Sequence, residues 1–128
     1  MLRNRKTFAT AINCIDGRIQ KPLLDFITER FRVDYVDMVT EPGPDKILSE
    51  DEAAGVIESI KKRVLISVEK HGSRIVVIAG HHDCAANPVE EKEHKRQIAK
   101  SVENIKRWNL EADTYGAWVD ASRKAGLI

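Results

Sequence analysis

Short apolar runs alternate along the chain with longer segments whose apolar residues recur every three or four positions. Thr7–Asn13 (TFATAIN), Asp34–Thr40 (DYVDMVT), Arg74–Ala79 (RIVVIA) and Ala112–Val119 (ADTYGAWV) predict strands. The third is nearly all apolar, as a strand buried on both faces must be. Leu23, Ile27 and Phe31 share one helical face behind Pro22, a residue tolerated in a first turn, which predicts a helix start there. Ala53, Ile57, Ile60, Val64 and Val68 make a second stripe. Ser49 with Glu52 predicts a capping box at its start, and Gly72 suits its end. A third helix is expected from Asn87-Pro88-Val89-Glu90, with Ile98, Val102 and Ile105 turned inward. Gly116 interrupts the last strand and marks it as an edge. Glu41-Pro42-Gly43-Pro44, after the second strand, can neither continue a ladder nor start a helix cleanly.

This alternation predicts a three-layer α/β fold: a mainly parallel four-stranded sheet with right-handed crossovers and helices on both faces. Residues 1–128 read as a single domain, with neither a repeat nor a low-complexity linker. The expected strand order is 2-1-3-4. It makes strands one and three neighbours, so that the segments after Asn13 and Ala79 leave the same carboxyl edge of the sheet.

Those two segments hold the chain's chemistry. Cys14-Ile15-Asp16-Gly17-Arg18 follows the first strand and Gly80-His81-His82-Asp83-Cys84 the third. Two thiols and an imidazole are the donor set of a catalytic zinc that keeps its fourth position open. Composition narrows the alternatives. Charged residues are 32% of the chain and the net charge is +1, with acids and bases interspersed, so nucleic acid is not an expected partner. Met1–Lys6 is basic but has no long apolar run behind it. It reads as neither a signal peptide nor a membrane span, and the expected compartment is cytoplasmic and reducing. There Cys14 and Cys84, the only cysteines, serve as metal ligands or free thiols rather than a disulfide. An inert buried cysteine is the alternative for either one, and a loop-pinning ion pair the alternative for Asp16 and Arg18.

With these residues in place the chain resembles the β-class carbonic anhydrases, whose signature is Cys-x-Asp-x-Arg after the first strand and Gly-His-x-x-Cys after a later one. The resemblance spans about residues 7–120 and ends in TYGAWVD. It implies that Cys14, His81 and Cys84 bind zinc, that Asp16 accepts a hydrogen bond from a zinc-bound hydroxide, and that Arg18 holds Asp16. In some members the equivalent of Asp16 moves onto zinc, so a closed state with Asp16 as fourth ligand is implied too. The implied activity is reversible hydration of carbon dioxide to bicarbonate in a homodimer or larger homo-oligomer. Thr40–Pro44 stands where the family usually carries Arg-Asn-Ala-Gly, Gly17 where Ser is common, and Ala85 where Gly usually follows the second Cys. These departures leave open a zinc enzyme for another small electrophile, such as carbonyl sulfide or carbon disulfide, or a catalytically silent zinc protein.

The remaining candidates have plainer expectations. His82 reads as a solvent-facing loop residue, and Asp83 either orients a ligand or caps the next turn. His71 suits a helix C-terminus. His94, inside the charge run Glu90–Arg96, is expected on a solvated helix face. Trp108 and Trp118 read as packing or interface residues.

Overall fold

The computed structural model describes residues 5–128; the first four residues of the basic Met1–Lys6 stretch lie outside the described residues. The strands form one sheet in the order β2-β1-β3-β4-β5. β1 (Phe8–Asn13) pairs in parallel with β2 (Tyr35–Thr40) on one side and with β3 (Ile75–His81) on the other. β3 pairs in parallel with β4 (Asp113–Val119). The predicted order is therefore present, with one addition. β5 (Ala125–Leu127) joins β4 antiparallel, Ala117 opposite Leu127 and Val119 opposite Ala125. This makes β4 an interior strand, not the edge that Gly116 suggested. Gly116 answers a steric demand instead: a Cβ there would lie 2.6 Å from Ile98 Cγ2.

Side-chain alternation splits the core between the two faces of the sheet. Ala9, Ala11, Val77, Ala79, Ala117 and Val119 pack against Ile19, Leu23 and Ile27 of α1 (Gly17–Phe31). Small strand residues on this face let the helix approach closely. Ile12, Val76, Ile78 and Trp118 face the other way. They meet Leu48 of α2 (Pro44–Glu50), Ile60, Val64 and Val68 of α3 (Ala54–Lys70), and Ile98 and Ile105 of α4 (Glu91–Lys106). Helices thus cover both faces, as a parallel sheet requires.

Two helix starts differ from expectation. α1 begins at Gly17 rather than Pro22, because Asp16 caps it by accepting from the Arg18 backbone N–H at 2.9 Å; Pro22 lies inside the helix. The Ser49–Glu52 capping box does not form. Gly43 in the left-handed region (φ 58°) and Pro44 start α2, which absorbs Ser49 and turns its hydroxyl to the Lys46 carbonyl at 3.1 Å. α3 then starts behind Ala53 without a side-chain cap. The proline-rich turn that was expected to resist helix formation is itself a helix start, since Pro at the first helical position gives up an N–H that has no partner there. Among the described residues, no helix is long and apolar enough to cross a membrane.

Candidate metal centre

Parallel pairing of β1 with β3, with Ile12 opposite Ile78, sends both strands out at one edge of the sheet. Cys14 follows β1 directly and His81 is the last residue of β3. Cys14 and Cys84 are buried in the core on the α1 side. Their sulfurs are 3.9 Å apart, and the donor atoms of Cys14, His81 and Cys84 all lie within 4.8 Å of one another. The His81 ring is fixed through its other nitrogen: Nδ1 donates to the His82 carbonyl at 2.8 Å. Nε2 is buried and has no hydrogen-bond partner among the described residues. A backbone acceptor on one imidazole nitrogen with the second left for a metal is the usual arrangement of a ligating histidine. Tetrahedral bonds of ~2.3 Å to sulfur would set two thiolates about 3.8 Å apart, so the observed spacing fits zinc.

Asp16 and Arg18 stand beside this cluster. Asp16 Oδ1 accepts from Arg18 Nε at 3.0 Å and Oδ2 from Arg18 Nη2 at 2.6 Å. Arg18 also reaches the second motif: Nη1 donates to Asp83 Oδ2 at 3.2 Å and Nη2 to the Asp83 carbonyl at 3.0 Å. Asp83 is held in the left-handed region (φ 61°). Among the described residues its carboxylate bonds neither a metal ligand nor the following turn; it receives the guanidinium. Asp16 Oδ2 lies 4.0 Å from His81 Nε2, adjacent to the donor set but directed at Arg18.

The electrostatics follow from these contacts. Side-chain hydrogen bonds from Arg18 hold the Asp16 carboxyl well below the usual carboxylate range, so it is ionised at neutral pH. The same pairing, with Asp83 next in weight, raises Arg18 above its ordinary value. Burial lowers His81, which keeps its imidazole neutral as metal binding requires. Burial, followed by the neighbouring Cys14, pushes the Cys84 thiol up to about 11 in the metal-free protein.

The other candidates distribute themselves differently. His82 is exposed. His71 caps α3, pairs with Asp37 at 2.6 Å and stacks on Phe8. Trp118 is buried on the face opposite the cysteines. His94 is the clear correction: it is 1% exposed, not solvated, and bonds Asp45 at 2.6 Å. Nothing in the sequence around Asp45 marks it as inward, yet it too is buried. The spacing His94, Ile98, Ser101, Ile105 carried the inward signal for α4; the flanking charges masked it.

Residues 4–128 match the family model described as "Putative carbonic anhydrase". Among solved structures, the chain is similar to a β-carbonic anhydrase of the filamentous ascomycete Sordaria macrospora, described as tetrameric. That match has 12% identity, covers 97% of this chain and 81% of that one, and has a TM-score of 0.52. Two β-carbonic anhydrases of Aspergillus fumigatus are also similar. CafA has 13% identity over 97% of this chain and 76% of its own, TM-score 0.54. CafD, as a mutant, has 12% identity over 98% and 91%, TM-score 0.57. At such identities the likeness is one of fold. No curated protein matches the chain in sequence.

Proposed function

This chain belongs to the family described as "Putative carbonic anhydrase", and on that premise we propose that it is a zinc enzyme for the reversible hydration of carbon dioxide to bicarbonate. One observation carries the reading. Three buried donors from two strand exits converge within 4.8 Å, with an arginine-held carboxylate 4.0 Å from the imidazole. Zinc held by Cys14, His81 and Cys84 would supply a Lewis acid that makes a water molecule ionise nearer neutral pH. Asp16, ionised and acceptor-only, has lone pairs beyond those Arg18 uses. With one it would accept a hydrogen bond from the hydroxide left when that water gives a proton to solvent, turning an oxygen lone pair toward the carbon of carbon dioxide; the new C–O bond forms as one C=O π pair moves onto oxygen, giving bicarbonate. Arg18 fixes the carboxylate through three side-chain contacts, and so keeps Asp16 from serving as a fourth ligand. Its second hold, on Asp83, ties the two motif loops to each other.

The same reading includes a reducing, cytoplasmic compartment, because Cys14 and Cys84 act as ligands only as thiolates. It also includes a homodimer or larger homo-oligomer. Among the described residues one edge of β2 has no strand beside it, Tyr35 on it is half exposed, and such an edge invites a partner. The experiment is stopped-flow hydration of carbon dioxide on protein with its zinc measured, at about pH 7 and about pH 9. We expect one zinc per chain, its loss in Cys84→Ser, a zinc-dependent rate that rises with pH, and sedimentation as a dimer or larger. Zinc-loaded protein that leaves carbon dioxide at the background rate would overturn the substrate. Hydrolysis of carbonyl sulfide or carbon disulfide by that protein would then identify the second electrophile class.

A further inference from the structure

On the sheet face opposite the metal position, a polar cluster occupies ground where a core is ordinarily apolar. Asp45 and His94 are each 1% exposed, and Asn87, Gln97 and Ser101 are buried with them. His94 Nδ1 donates to Asp45 Oδ2 at 2.6 Å. Asp45 Oδ1 accepts from Asn87 Nδ2 at 3.1 Å and from the Lys46 N–H at 3.1 Å. Asn87 Nδ2 also donates to Gln97 Oε1 at 2.6 Å, and Ser101 Oγ to the Asp45 carbonyl at 3.1 Å. Burying so many polar groups is unfavourable unless each is paired, and apolar residues of similar volume would hold two helices together at least as well. Helix packing alone therefore does not account for the cluster.

What it touches does. A Cβ on Gly80 would lie 2.7 Å from Asp45 Oδ2, so the carboxylate rests against the backbone immediately before His81. The Asn87 backbone N–H donates to the Cys84 carbonyl at 3.3 Å and closes the turn that carries Cys84. Gly43 packs on the same residue, its Cβ position 3.2 Å from Asn87 Cβ. The loop containing Gly43 is anchored in turn: the Glu41 N–H donates to the Asn13 carbonyl at 3.1 Å, and Arg63 bonds the Glu41 carboxylate. The cluster thus grips the chain on either side of two metal-ligand positions.

We propose that Asp45, His94 and Asn87 form a positioning unit for the metal centre, fixing the His81 and Cys84 segments from the far side of the sheet. His94 holds the Asp45 carboxylate, Asp45 sets Asn87 and bears on Gly80, and Asn87 sets the Cys84 turn. The proposal rests on the reading of Cys14, His81 and Cys84 as zinc ligands. It gives the turn between β2 and α2, which departs from the family's usual stretch, a role in assembling the site.

The test compares zinc dissociation constants, measured by chelator competition on protein shown to be folded by circular dichroism. The parent, Asp45→Asn, Asn87→Ala and Asn104→Ala are compared. Asn104 Nδ2 donates to the Leu48 carbonyl at 2.8 Å, tying α4 to α2 without touching Gly80 or the Cys84 turn. Asn104→Ala should lower Tm while leaving the zinc Kd within about twofold of the parent. Asp45→Asn and Asn87→Ala should raise it about 10–100-fold, the range carried by residues supporting metal ligands from the outer shell. The thiolate-to-cobalt absorption of the cobalt-substituted variants should shift as well. If Asp45→Asn does not fold, Asn87→Ala decides alone. Folded Asn87→Ala with the parent's Kd and cobalt spectrum overturns the positioning unit, as does an equal loss in Asn104→Ala. A parent that takes up no zinc overturns the zinc reading along with it, whereas zinc-binding parent protein with indifferent variants removes only the positioning unit.

Discussion

A carboxylate beside a thiolate-rich metal position opposes the build-up of a second anion unless its charge is balanced and its direction fixed. Asp16 meets both conditions through one neighbour, since the Arg18 backbone N–H and guanidinium both donate to it. The residue is therefore helix cap and site carboxylate together. Asn caps a helix as well as Asp does, so Asp16→Asn should leave α1 in place while exchanging one acceptor oxygen for a donor. We expect unchanged zinc content and little change in Tm, with kcat/KM for carbon dioxide lower by ~10²–10⁴, the range of positioned proton acceptors. Arg18→Ala should lose activity too, because an unpaired Asp16 can swing toward the metal ligands. The double variant should be no slower than the worse single one, since both substitutions disable one unit. Equal rates for the parent and a zinc-replete Asp16→Asn would rule out Asp16 as the acceptor.

At the scale of elements, the two motif glycines face opposite demands. Gly80 lies between Asp45 and Ile98, with Cβ distances of 2.7 Å to the carboxylate and 2.9 Å to Ile98 Cδ1. Gly80→Ala must displace the buried ends of the Asp45 and Ile98 side chains, and overpacking of this kind costs about 1–3 kcal/mol. Gly17, at the start of α1, has nothing within 4 Å of its Cβ position. Gly17→Ala should raise stability, by less than the ~0.5–1 kcal/mol that glycine costs against alanine in a helix interior, because Gly17 is the first helical residue. Denaturant melts of the two variants should move in opposite directions; a neutral Gly80→Ala would contradict the packing of Asp45 on β3. The same contrast explains what was legible from residues alone. Apolar runs such as Arg74–Ala79 and the two motifs at strand ends located β1, β3 and the donor set, because period and spacing survive in one dimension. Pro22 points to a later start for α1 than the fold has, because the capping role of Asp16 depends on the loop around it. Ser49 and Glu52 match a capping box that Pro44 pre-empts by starting α2 earlier. β5 has three residues, too few for alternation to show. The Asp45–His94 contact joins residues far apart in sequence, Asp45 behind a proline-glycine turn and His94 inside a charge run, and only the fold reveals that both point inward.

For the molecule as a whole, the metal site joins the exits of β1 and β3, so holding a metal there and holding the sheet together are linked events. The linkage has a definite sign with pH. In the metal-free fold Cys84 lies at about 11 against an ordinary 9.0. The folded state thus binds the proton more tightly than the unfolded one. That contribution is fully present below pH 9.0 and is lost as pH rises through about 11. His81 acts at the acid end: burial lowers it from its ordinary 6.5, so its contribution is present above 6.5 and is lost as pH falls through the lowered value. Zinc requires Cys84 as thiolate and must displace that proton at neutral pH, so each proton released adds about tenfold in affinity per pH unit. The Tm difference between zinc-loaded and chelator-treated protein should therefore widen from about pH 6 to about pH 10 as zinc binding tightens, with weakening of the metal-free fold adding to it only above pH 9.0. Paired thermal melts across that range, at fixed free zinc, measure it directly. A difference that stays constant or narrows toward alkaline pH would mean that the metal does not bind through a thiol that the fold keeps protonated.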